Sequence, residues 1–108
     1  MKITVKEKEY ELSLSMRSCV DLEDRLNGIN PLQIVSDWDE NHMPTFKQLG
    51  LFFWAMLKDN SKVTLDEAYD IMYGYLQDGR KIIDLVDTII TVFDECGYVG
   101  TQEDTEKN

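Results

Sequence analysis

Positive charge is scarce in this chain: 11 Lys and Arg stand against 21 Asp and Glu, a formal charge of −10. Phosphate would be repelled from such a surface at long range, so nucleic-acid binding is not expected. A basic partner fits the charge, and an acidic surface that imitates nucleic acid stays open beside it. Cysteine is almost missing too. Cys19 and Cys96 fall at apolar helical positions and read as two reduced, buried thiols, because free cysteine packs like a small hydrophobe. The lone histidine, His42, has no serine, cysteine or carboxylate at a diagnostic spacing. CxxC, HExxH, Walker and GxSxG patterns are all absent. No catalytic, cofactor-binding or metal site is expected, and the chain reads as a binding protein, not an enzyme. No run approaches the roughly 18 apolar residues of a membrane span, and the opening MKITVKEKEYELSLS alternates instead of running apolar. Neither a membrane segment nor a secretory leader is expected, which points to the cytosol.

What is present is the patterning of one small domain. At 108 residues, with 43% hydrophobic and 30% charged, the chain has ordinary globular values and length for a single modest core. The fold class expected is mainly α: an N-terminal β-hairpin followed by a compact bundle of about four to five helices, over residues 1–97, with a flexible acidic tail at 98–108. Ile3 and Val5 alternate with polar residues, and Tyr10, Leu12 and Leu14 do so after Lys6 to Glu9, which reads as two strands about a tight turn. A hairpin alone is marginal in water, so this one must lie on helices or pair at its edge with another chain.

Ser15 or Ser18 can cap a first helix ending near Asn27, with Met16, Cys19, Val20, Leu22 and Leu26 on its apolar face. Glu23 falls in the middle of that face, where a carboxylate needs a basic partner or backbone donors; an acid/base role would need further groups that are not evident. Asn30 and Pro31 open a short helix, PLQIVSDW. A polar loop from Asp37 to Pro44 follows. Asp37, Asp39 and Asn41 imitate the start of a calcium loop, but His42 stands where glycine is required and Gln48 where a bidentate Glu is required.

Thr45 with Gln48, and Thr64 with Glu67, have capping-box spacing and open two further helices. The second should carry Leu65, Ala68, Tyr69, Met72, Tyr75 and Leu76 inward. Gly50 and Gly74 lie inside these helices, where glycine costs about 1 kcal/mol relative to alanine, so close helix crossings are expected there. The last helix, Arg80 to Cys96, divides into an apolar half that includes Ile82, Ile83, Ile89, Ile90 and Phe93 and a polar half that includes Asp84, Asp87, Thr88 and Thr91.

The helix TFKQLGLFFWAMLK, Thr45 to Lys58, is the centre of this pattern. Phe46, Leu49, Phe53, Met56 and Leu57 form its apolar stripe, and Leu51, Phe52 and Ala55 occupy the side that should be wet. Either the domain wraps this helix, or Leu51, Phe52, Trp54 and Ala55, with Trp38 from the preceding segment, form a partner-binding face.

The order of elements, with the phrases LEDRLNG and FFWAML, resembles the tail assembly chaperones of long-tailed bacteriophages across residues 1 to about 100. The resemblance implies a non-catalytic chaperone that holds the tape-measure protein, recruits tail-tube subunits, works in the host cytoplasm and is absent from the mature virion. It also implies that a frameshift near the gene's end can produce a longer form. Glu106-Lys107-Asn108 admits the slippery spelling A-AAA-AAC, among many other spellings. Two other readings compete: an acidic helical adaptor or inhibitor of a basic host protein, and a homo-oligomer joined at the hairpin edge.

Overall fold

A computed structural model describes residues 1–99 of the chain. Strands β1 (Lys2–Val5) and β2 (Lys8–Glu11) pair antiparallel with Ile3 opposite Tyr10. Their two-residue turn, Lys6 and Glu7, takes φ of 52° and 71°, the left-handed pair whose twist matches the strands. Asp78 supports this turn by accepting from the Lys6 amide at 2.7 Å. Five helices follow: α1 (Met16–Arg25), α2 (Pro31–Asp37), α3 (Phe46–Lys58), α4 (Leu65–Gln77) and α5 (Ile82–Glu95). The expected class is therefore observed, a hairpin followed by a mainly α bundle.

Both capping boxes form. Thr45 Oγ1 accepts from the Gln48 amide and the Gln48 side chain accepts from the Thr45 amide, each at 3.0 Å; Thr64 and Glu67 repeat the arrangement on α4. α3 is the axis of the molecule, with α1, α4 and α5 packed around it. Leu49 through Leu57 are buried without interruption. The hairpin lies on the helices: Val5 packs where Gly74 leaves α4 bare, and the Ser13 amide donates to the Met56 carbonyl at 3.1 Å.

Gly50 meets the expectation of a helix crossing, because a methyl there would land in the Tyr69 ring of α4. Gly74 does not, since its neighbours are Val5 and Lys6 of the hairpin. Tyr98 and Val99 pack against the core, and the Tyr98 hydroxyl donates to the Leu14 carbonyl at 2.7 Å, so the packed domain runs past residue 97. The remainder of the expected tail lies outside the described residues.

The faces of two helices are rotated from the expected ones. On α1 the buried residues are Ser18 and Leu22, whereas Met16 and Val20 face outward. Ser18 is drawn in by Asp59, to which its hydroxyl donates at 2.6 Å. On α5 Thr88 is buried, with its oxygen 3.1 Å from the Tyr75 hydroxyl and donating to the Asp84 carbonyl at 2.8 Å. Ile83 and Ile90 are correspondingly turned out, 50% and 37% exposed. Phe46, expected in the α3 stripe, is 77% exposed at the helix start.

Candidate functional site

The partner-binding face expected on α3 is covered. Leu51, Phe52 and Ala55 are core residues, and Trp54 is 9% exposed. The covering of Trp54 is cationic: the Arg25 guanidinium lies 4.9 Å from the ring centroid and the Lys58 ammonium 5.7 Å, while Lys58 also binds Asp21 at 2.8 Å. Phe52 is enclosed by two other rings, Trp38 at 5.3 Å and Phe93 at 5.7 Å. Packing by the chain's own helices thus accounts for the apolar surplus of α3. Of the five residues expected at the surface, Trp38 alone stays half-buried and borders a cleft.

That cleft, about 240 Å³, lies between the segment after α2 and the outer flank of α5. Trp38, Met43, Ile83, Val86 and Ile90 make its apolar lining, and Asp39, Glu40 and Asp87 are its acids. Asp39 is fixed in a small turn: its carboxylate accepts from the Asn41 amide at 2.8 Å and faces His42 Nδ1 at 3.0 Å. The Asn41 bond, then the His42 bond, hold the Asp39 carboxyl below the usual carboxylate range, so the cleft keeps that negative charge. The segment expected to be a polar loop is thus the acidic lip of an apolar cleft.

A second cavity, about 180 Å³, opens near the other end of α5. Met16 and Cys19 of α1, Pro31 and Leu32 of α2, and Phe93 with Tyr98 beyond it give apolar walls, and Glu23 stands among them. The basic partner expected for Glu23 is not found: among the described residues its carboxylate has neither an ion pair nor a hydrogen bond. Cys19 and Cys96 are free and half-buried, and burial pushes the Cys19 thiol up, keeping it protonated.

One face of α5 contributes to both openings, Ile83, Val86 and Ile90 to the cleft and the fully buried Phe93 to the second cavity. Ile83, Val86, Ile90 and Phe93 are spaced three, four and three residues apart, which sets them along a single face of α5. From Ile83 to Phe93 the axis rises about 15 Å. The start of α2 borders the Glu23 cavity, and the segment just after its end borders the Trp38 cleft. Sequence reasoning missed Ile83 and Ile90 as surface residues. The available signal was the breadth of the α5 apolar half, wider than one packed neighbour covers.

The arrangement defines a small helical domain with an interrupted apolar track edged by carboxylates. Comparison with protein-family models, curated proteins and solved structures gives no match. Among the described residues, no helix is long and apolar enough to cross a membrane.

Proposed function

We propose that the chain is a non-catalytic chaperone of the phage tail-assembly kind, holding apolar stretches of a long helical tape-measure protein while tail-tube subunits are recruited. Its place of action is the host cytoplasm, and it is absent from the finished virion. The observation that carries this reading is the cleft of Trp38, Met43, Ile83 and Ile90 with its Asp39, Glu40 and Asp87 acids. A holding protein needs exposed apolar surface kept soluble by surrounding charge, and this cleft supplies both.

The test is co-expression with a long helical tape-measure protein, following that protein's soluble fraction. The wild-type chain should keep it soluble, and Ile83→Asp with Ile90→Asp should remove the effect while leaving the chain's own melting unchanged. Full solubility with the double variant would reject the cleft as the holding surface. The acid lip also favours a second reading, an acidic adaptor or inhibitor of a basic host protein. Binding of such a protein that DNA competes away, with no effect on the tape-measure product, would select that alternative.

A further inference from the structure

We infer that the open edge of β2 is a docking site for an extended segment of a partner protein in which basic and β-branched residues alternate. The inference goes beyond the holding cleft, since it names a different surface and a different form of guest. Hydrogen-bond alternation defines the edge. The Leu12 amide donates to the Met1 carbonyl at 2.7 Å, so along this antiparallel ladder Ile3–Tyr10 and Val5–Lys8 are the bonded pairs. Thr4–Glu9 and Lys2–Glu11 lie between them, with their amides and carbonyls turned away from the paired strand. Glu9 and Glu11 therefore present backbone groups to the outside, and among the described residues no second strand lies there. Those groups meet one donor among the described residues, the Asn60 side-chain amide, 3.4 Å from the Glu11 carbonyl. Beside the edge lies a cavity of about 380 Å³, bordered by Lys8 and Tyr10 of β2, by Val63, and by Glu67, Asp70 and Ile71 of α4. No residue of β1 borders it, which sets it on the outer side of β2. A strand added to β2 sends alternate side chains to opposite faces. Those on the face of Lys8 and Tyr10 enter the cavity over Val63 and Ile71, where β-branched chains fit. Those on the other face stand beside Glu9 and Glu11, where lysine or arginine is favoured, and the net charge of −10 assists their approach. A second copy is a poor guest. β2 paired with its own image about Glu9 or Tyr10 sets glutamates opposite each other, and β1 of another copy has Val5 already seated on its own α4.

The probe is a synthetic octapeptide alternating lysine and valine, blocked at both ends; a match of equal composition gathers the lysines and valines into two separate runs. Two further peptides keep the alternation but are N-methylated, one on its lysines and the other on its valines. Each is titrated into the full isotope-labelled chain, with amide shifts followed by nuclear magnetic resonance. The alternating peptide should bind about tenfold tighter than its match and move the amides of Glu9, Glu11, Val63 and Ile71. In an antiparallel ladder the lysine amides face Glu9 and Glu11, so methylating them should abolish binding, whereas methylating the valines, whose amides face away, should preserve it. Glu9→Pro removes an outward amide that β1 does not use, and should weaken the alternating peptide about tenfold with the melting curve unchanged. Should that variant fail to fold, the two methylated peptides decide the matter on the wild-type chain. Equal binding of the alternating peptide and its match, equal effects of the two methylation patterns, shifts confined to Trp38, Ile83 and Ile90, or no binding at all would each overturn the inference. So would a concentration-dependent dimer that protects the Glu9 and Glu11 amides without peptide, since it assigns the edge to a second copy. The solubility test of the Trp38 cleft is decided separately from all of these outcomes.

Discussion

One carboxylate ties the end of α3 to the start of α1. Asp59 accepts from the Ser15 amide at 2.9 Å, the Ser15 hydroxyl at 3.3 Å and the Ser18 hydroxyl at 2.6 Å, while Ser15 itself caps α1 by accepting from the Ser18 amide at 3.1 Å. Burial pushes the Asp59 carboxyl upward, but the bonds from Ser18 and Ser15 outweigh it and hold the group below the usual carboxylate range. Because the folded value lies below the unfolded one, near 3.9, this contribution is present above about pH 4 and fades as pH falls through the folded value. Asp59→Ala should lower unfolding free energy at pH 7 by about 1–2 kcal/mol, and the gap from wild type should narrow below about pH 4 in urea titrations followed by circular dichroism. A gap independent of pH would mean that shape, not charge, explains the loss. The capping role of Ser15 was legible in the sequence. Asp59 was not, because it lies 41 residues from Ser18 and only the fold brings them together.

The helices themselves were readable from caps, periodicity and breakers, and the Thr45 and Thr64 boxes form as their spacing requires. What stayed hidden was the rotation of α1 and α5 about their own axes. A hydroxyl counts as polar until its partner is known; Ser18 has Asp59 and Thr88 has Tyr75, so both turn inward and leave Met16, Val20, Ile83 and Ile90 outside. The candidate site was lost for the same reason: an apolar stripe looks alike whether its edge is buried or bare. The contact of α3 with α4 gives the sharpest test at this scale. Gly50→Ala would drive a methyl into the Tyr69 ring, so it should cost about 1–3 kcal/mol, as overpacking does. In a Tyr69→Ala background the same change should become neutral or favourable, since alanine is the better helix former by about 1 kcal/mol. Equal effects in both backgrounds, measured by urea unfolding, would contradict the crossing.

At the scale of the whole molecule, the chain encloses a richly apolar central helix and leaves apolar side chains exposed at several places, Met16 and Val20 on α1 and Ile83 and Ile90 on α5 among them, under a net charge of −10. Like-charged copies repel through their shared acidity, while a basic partner is drawn in. Raising salt from 0.05 to 0.5 M should therefore weaken binding of a basic partner several-fold, chiefly through a slower association rate, and leave that of an uncharged one little changed. Stopped-flow mixing at both salt levels checks this.

The two tryptophans sit in unlike settings. Trp54 is shielded beneath Arg25 and Lys58, and Trp38 stands half-buried at the mouth of the acidic cleft. The molecule thus carries its own optical gauge. A neutral collisional quencher such as acrylamide should dim the indole at position 38 and scarcely reach the one at 54, and a guest seated against α5 should restore the lost light. In a Trp54→Phe chain, the remaining emission would report directly how full the cleft is.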